Sequence, residues 1–142
     1  MNRIEGAFSK PGRRVLIGYV TVGYPDLDTT LKMAKVLARE GCDIIELGIP
    51  FSDPIGDGPV IQQASYQALL NGITPEKCLE VAEELSSEVD AALVFMSYFN
   101  PLWHYGTERF ARRASAAGAS GVIVPDLPVD ESLQLLGPCR ES

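Results

Sequence analysis

Asp43-Ile44-Ile45-Glu46-Leu47-Gly48 runs directly into Ile49-Pro50-Phe51-Ser52-Asp53-Pro54-Ile55-Gly56-Asp57-Gly58-Pro59, and this stretch decides the fold class. Its first half is a short aliphatic run broken by one carboxylate. Its second half is a long loop stiffened by Pro and Gly. Nearly continuous apolar runs suit strands covered on both faces, the usual condition of a parallel sheet. Three more runs of this kind occur: Val15-Leu16-Ile17-Gly18-Tyr19-Val20, Ala91-Ala92-Leu93-Val94-Phe95-Met96 and Gly121-Val122-Ile123-Val124-Pro125.

Helical patterns separate these strands. From Asp28 to Glu40, Leu31, Ala34, Leu37 and Ala38 recur at helical spacing while Lys32, Lys35 and Arg39 fall elsewhere. A second stretch covers Val60 to Leu70. Thr74-Pro75 is a strong helix start, with Thr as N-cap and Pro at the first position, and Cys78, Leu79, Val81, Ala82 and Leu85 mark the apolar face. Thr107 to Ala117 reads as another helix, and Asp130 opens a last one. Residues 96–106 read as a loop. Strand and helix in alternation predict an α/β protein with right-handed crossovers.

Two αβ junctions resemble one another: Leu37-Ala38-Arg39-Glu40-Gly41-Cys42-Asp43-Ile44-Ile45 and Ser115-Ala116-Ala117-Gly118-Ala119-Ser120-Gly121-Val122-Ile123. Each is a helix end, a glycine suited to a left-handed C-cap and then a strand. Any αβ junction favours this chemistry, but it also fits a barrel of repeated βα units. The main rival is a doubly wound sheet. Gly18-Tyr19-Val20-Thr21-Val22-Gly23 lacks the GxGxxG spacing of that fold's phosphate loop, which favours the barrel.

The 142 residues allow one domain, and 46% hydrophobic with 22% charged residues is an ordinary globular composition. The net charge of −7 argues against nucleic acid or an anionic membrane as the main partner, since both attract basic patches. No apolar run approaches the ~18–20 residues of a membrane span, and the stretch from Met1 to Gly6 lacks the apolar core of a signal peptide. Cys42, Cys78 and Cys139 are odd in number and lack CxxC spacing. They read as reduced, mostly buried thiols of a cytoplasmic protein.

In a βα fold, the loops after the strand C-termini carry function. Side chains alternate along a strand, so Ile45 and Leu47 share one face while Ile44, Glu46 and Gly48 share the other. If the first pair meets the helices, Glu46 points into the barrel near its mouth. A carboxyl group there is partly desolvated and suited to moving protons; the plainer alternative is an exposed or ion-paired Glu. Asp53 and Asp57 sit in Asp-Pro and Asp-Gly turn signals, which are commonly structural. Held by Pro50, Pro54 and Pro59, however, the loop can set Asp57 facing Glu46 across a small molecule, for acid–base chemistry or for a metal. No His accompanies the pair, and no metal site is expected.

Tyr19, Thr21, Tyr98 and Asn100 lie at strand ends and are placed for the same pocket. The lone His104 reads as a surface or packing residue, and Arg112-Arg113 as a solvated helix face. Ser9, Ser52 and the cysteines have no recognisable base partner, so no covalent nucleophile is expected.

The stretch from Glu46 to Pro54, followed by Asp57-Gly58-Pro59 and Ile61-Gln62, resembles the signature of the tryptophan synthase alpha subunit. Tyr19-Val20-Thr21-Val22-Gly23-Tyr24-Pro25, Leu93-Val94-Phe95-Met96-Ser97-Tyr98-Phe99-Asn100-Pro101 and Gly121-Val122-Ile123-Val124-Pro125-Asp126-Leu127-Pro128 resemble other segments of that family. The resemblance implies a TIM-type (β/α)8 barrel that splits indole-3-glycerol phosphate into indole and glyceraldehyde 3-phosphate during tryptophan biosynthesis. It implies Glu46 as the acid–base residue and Asp57 as acceptor of the indole N–H, with Tyr19, Thr21 and Tyr98 lining the indole end. It places Asp53, Pro54 and Asn100 at the interface with a beta subunit, in an alpha2-beta2 tetramer. Pyridoxal phosphate belongs to that partner; the alpha subunit has no cofactor.

Such a barrel takes ~250 residues, with its phosphate site after strands 7 and 8. Four strands in residues 1–142 therefore read as the N-terminal half of that domain, truncated in the fourth helix, and little turnover is expected of this portion alone. Two other readings are a half-barrel that associates with itself through open strand edges, and another phosphosugar lyase or isomerase on the same fold.

Overall fold

The computed structural model describes residues 2–9 and 11–142; Met1, the first residue of the stretch read against a signal peptide, lies outside them. In chain order the elements are α1 (Arg3–Phe8), β1 (Ile17–Thr21), α2 (Leu27–Arg39), β2 (Ile44–Gly48), α3 (Pro59–Leu70), α4 (Pro75–Glu88), β3 (Ala92–Met96), α5 (Phe99–Tyr105), α6 (Thr107–Ala116), β4 (Gly121–Ile123), a 3-10 turn (Val129–Glu131) and α7 (Leu133–Glu141). The sheet runs β1-β2-β3-β4 and every neighbouring pair is parallel. This is the strand order of half a (β/α)8 barrel.

The helix starts follow from their caps. Asp26 accepts the Thr29 N–H and Thr74 accepts the Lys77 N–H, each satisfying a donor that the first turn leaves open. Both junction glycines adopt the left-handed conformation, Gly41 at φ 99° and Gly118 at φ 82°. The repeat at residues 37–45 and 115–123 is therefore a repeat of structure, ending in β2 and β4.

Two expectations are corrected. Residues 96–106 are not all loop, because Phe99–Tyr105 forms α5. Pro101 lies in its first turn, where a missing N–H costs nothing, and Gly106 at φ 95° ends it before α6. The last helix does not open at Asp130: the 3-10 turn holds that residue, and α7 begins at Leu133.

Strand parity is as the sequence predicts. Ile45, Leu47, Leu93 and Phe95 are fully buried with Leu79, Leu85 and Phe110 in the main core on the helix side. Phe95 and Phe110 meet edge-to-face at 5.5 Å between ring centres, a favoured aromatic geometry. The opposite face carries Ile44, Ala92 and Val94, and these are buried too, against Ile4, Ala7 and Val15. The inner face is thus not simply open to water, as an isolated half barrel suggests. The short α1, unforeseen from sequence, covers its lower end. A capping box between Asn2 and Glu5 starts α1, and Asn2 Nδ2 donates to the Ser120 carbonyl at 3.0 Å.

Arg113 is not a freely solvated side chain either. Glu76, in the first turn of α4, accepts hydrogen bonds from the Tyr105 hydroxyl and from Arg113 Nη2, the latter at 2.9 Å. Arg109 approaches the same carboxylate at 3.4 Å and lies 4.4 Å above the Tyr105 ring. Arg112, by contrast, is exposed beside Glu108. The Tyr105 hydroxyl, then Arg113, hold the Glu76 carboxyl below the ordinary glutamate range. A depressed folded-state pKa contributes stability above the unfolded value of ~4.3, and this is lost as pH falls through the folded value. Glu76→Gln is therefore expected to destabilise the chain more at pH 7 than at pH 3. Urea unfolding at both pH values checks this; an equal deficit at both would exclude the linkage.

Candidate active site

The inner face and the loops above it gather five of the residues singled out from sequence. Register places Tyr19, Glu46 and Val94 side by side across β1, β2 and β3, with Thr21, Gly48 and Met96 in the next inward layer towards the strand C-termini. Tyr19 and Glu46 are thus lateral neighbours on one face, and both are half-buried. The Tyr19 ring passes over Gly48 so closely that a Cβ there would stand 2.1 Å from the phenol oxygen. Glycine at this strand end is what lets the phenol lie across the mouth. Thr21 Oγ1 donates to the Tyr19 hydroxyl at 3.3 Å.

The electrostatics tie Asp57 to the same place. Burial raises the Tyr19 pKa foremost, the Thr21 hydrogen bond opposes this, and the charges of Asp57 and Glu46 add to the rise. Both carboxyl groups therefore act on one phenol. Tyr98, beyond the end of β3, is 7% exposed. Its pKa is also raised, by burial foremost, with the Gly56 amide opposing and Asp57 adding to the rise.

The loop that carries Asp57 is held from several directions. The Ile55 N–H donates to the Asp53 carbonyl at 2.9 Å and the Asp57 N–H to the Pro54 carbonyl at 3.0 Å, folding the loop tightly. Gln62 in α3 donates to the Asp57 carbonyl at 2.8 Å. The Gly56 N–H donates to the Tyr98 hydroxyl at 2.9 Å, and Phe51 lies 5.5 Å from the Tyr98 ring centre. A half-buried acid on the strand and another on a braced loop thus share a site with two tyrosines and a threonine. Such a constellation can give and take protons around a flat apolar ligand whose polar atoms meet the carboxylates.

Asp53 and Pro54 lie in the loop that carries Asp57, and Asn100 and His104 lie on α5. Asp53 is exposed and accepts from Ser52 Oγ at 2.5 Å, Pro54 is buried, and Asn100 is exposed in the first turn of α5. His104 is exposed with Nδ1 3.0 Å from the Asn100 carbonyl oxygen. Cys42 and Cys78 are buried and Cys139 is exposed, all three as free thiols, in line with a mostly buried set. Among the described residues, no group of three His, Cys, Asp or Glu side chains is placed to hold a metal ion, and no helix is long and apolar enough to cross a membrane. A groove of about 770 Å³ between α6, β4 and α7, lined by residues such as Phe110, Val122 and Leu135, includes none of the site residues.

Sequence reasoning passed over Gly48, Gly56 and Asp126. The signal for Gly48 is its phase, since it follows Glu46 on the inward face. For Gly56 and Asp126 no local signal exists, because their partners lie on other βα units.

A family model described as tryptophan synthase alpha chain matches residues 7–142. Among curated proteins, the tryptophan synthase alpha chain of Dehalococcoides mccartyi is 52% identical over 100% of this chain and 55% of its own length. That of Methanopyrus kandleri is 49% identical over 99% of this chain and 50% of its own. Among solved structures, tryptophan synthase subunit alpha from Legionella pneumophila str. Paris superposes with a TM-score of 0.95 at 35% identity, covering 99% of this chain and 55% of that one. Tryptophan synthase from M. tuberculosis in its aminoacrylate-bound form gives 0.94 at 40% identity, covering 99% and 58%. The chain spans about half the length of the curated relatives it matches.

Proposed function

Since the chain belongs to the tryptophan synthase alpha chain family, we propose that residues 1–142 furnish the N-terminal, acid–base half of a (β/α)8 barrel that cleaves indole-3-glycerol phosphate. The observation that carries this reading is the convergence of Glu46 and Asp57 on the Tyr19 phenol at the strand C-termini. In the reaction, Glu46 gives a proton to the indole carbon that bears the glycerol chain. Asp57 accepts a hydrogen bond from the ring N–H and offsets the positive charge that protonation creates. The carboxylate of Glu46 then takes the proton of the glycerol hydroxyl as the carbon–carbon bond breaks, leaving indole and glyceraldehyde 3-phosphate. Protons balance: one is donated and one recovered. Tyr19, Thr21 and Tyr98 flank the indole.

Binding energy from the phosphate, remote from the breaking bond, belongs to the other half of the barrel in this reading, so the 142 residues alone turn over little substrate. Asp53, Pro54 and Asn100 belong to the edge that meets a beta subunit, where pyridoxal phosphate resides and indole is consumed. Of these, Asp53 and Asn100 offer solvent-facing side chains, while Pro54 is buried within its loop.

The test joins this chain to the part of the Dehalococcoides mccartyi relative that it does not match, restoring a full-length barrel. Indole release from indole-3-glycerol phosphate is expected from the joined protein and not from residues 1–142. Asp57→Asn is expected to cut the joined protein's kcat roughly tenfold to a hundredfold, the worth of a hydrogen bond to a charged group. A folded joined protein that releases no indole, or an Asp57→Asn variant at full rate, would sink the assignment.

A further inference from the structure

Asp126 lies in the loop after β4, two strands away from Glu46, and no reading from sequence gave it a role of its own. Its Oδ1 accepts the Phe99 N–H at 2.9 Å, at the first residue of α5. The N-cap of α5, Tyr98, makes no side-chain cap hydrogen bond, so this acceptor comes from another βα unit. A seven-residue helix holds its own start poorly, because nucleating the first turn is unfavourable.

Phe99 is bonded in sequence to Tyr98, whose hydroxyl accepts the Gly56 N–H at 2.9 Å; Gly56 in turn precedes Asp57. The contact between loop and tyrosine leaves no slack. A Cβ on Gly56 would stand 3.0 Å from the Tyr98 hydroxyl. Ser97 Oγ donates to the Tyr98 carbonyl at 2.8 Å and Phe51 lies against the ring, so the tyrosine transmits a displacement of its backbone to the hydroxyl. Two hydrogen bonds and two peptide links therefore connect the β4 loop to the carboxylate above β2.

We propose that Asp126 is a positioning residue that fixes the start of α5, so that the Tyr98 hydroxyl holds Gly56 and sets Asp57 over the mouth of the sheet. The inference rests on the reading of Asp57 as a site group. The rival explanation is a purely local cap, in which Asp126 stabilises α5 and nothing more. The two differ at Gly56, which Asp126 does not touch.

The experiment measures amide–water exchange by ¹⁵N NMR in the 142-residue chain, comparing the parent with Tyr98→Phe, Asp126→Ala and Asp126→Asn. Tyr98→Phe is expected to speed exchange at Gly56 about fivefold, the worth of one net hydrogen bond, while Phe99 stays protected. Asp126→Ala is expected to speed exchange at both Phe99 and Gly56. Asp126→Asn, which keeps an oxygen acceptor of the same size, is expected to give a smaller rise at both. Faster exchange at Phe99 alone in the Asp126 variants overturns the proposal, as does an unchanged Gly56 in Tyr98→Phe. If Asp126→Ala does not fold, the same comparison of the two amides in Asp126→Asn decides.

A second arm places the Asp126 variants in the joined barrel, where Ala is expected to lower kcat and Asn to recover most of it. The exchange arm needs no turnover. A joined barrel without indole release would count against the proposed reaction and leave the positioning result standing.

Discussion

Glu46→Gln is expected to lower kcat for indole release from the joined barrel by roughly 10²–10⁴-fold, the usual contribution of a positioned general acid–base. The substitution keeps the shape and most hydrogen-bonding capacity of the side chain but cannot give or take the proton. Because Glu46 lies between Tyr19 and Val94 on the inward face, Gln occupies the same space without disturbing either neighbour. Stability is expected to stay within ~0.5 kcal/mol of the parent, as for substitutions that break no cap, core contact or buried pair. Steady-state kinetics with urea unfolding of the same samples separates the two quantities. A loss below tenfold in kcat would remove Glu46 from the acid–base role. A large fall in stability would instead make the carboxylate structural.

Gly23→Ala is expected to cost the fold roughly 2–5 kcal/mol, a large effect for a single methyl group. Two costs add. Gly23 sits at φ 84°, where an L side chain pays ~1–2 kcal/mol. The new Cβ would also stand 2.2 Å from Ile73 Cγ1, and overpacking of a filled site adds ~1–3 kcal/mol. Neither side can yield easily. The Gly23 N–H donates to Thr30 Oγ1 at 2.9 Å and its carbonyl accepts Asn71 Nδ2 at 3.0 Å, while the Ile73 N–H is tied to the Ala68 carbonyl at 3.1 Å. Gly41→Ala is the control: its φ is 99° but no atom lies within 4 Å of the added Cβ, so only the conformational cost of ~1–2 kcal/mol applies. Urea midpoints for the two variants test the steric part, and equal losses would show that Ile73 gives way.

The legible part of this protein is the part written in short-range periodicity. Alternation along residues 44–48 set Ile45 and Leu47 towards the helices and Glu46 towards the pocket, and the buried core agrees residue by residue. Glycine after a helical stretch marked the left-handed ends at Gly41 and Gly118, and Thr74-Pro75 marked a helix start. Residues 96–106 read as loop from their place after a strand, and the seven-residue α5 is too short to display a helical period, with Pro101 accommodated in its first turn. The short α1 escaped because six residues hold too few apolar positions to display a helical period.

By itself, then, the sequence determined the parallel α/β architecture, the inward direction of Glu46 and the wealth of acids in the loop after β2, because each depends on residues within a turn or a strand of one another. Only the tertiary structure decided which groups meet: Tyr19 over Gly48, Tyr98 beneath Gly56 at a separation of 42 residues, and Asp126 on Phe99 at 27. Those contacts arise from strand register and from the space that glycines leave unfilled. Both are properties of neighbouring chain segments in three dimensions, which no periodicity along one segment encodes.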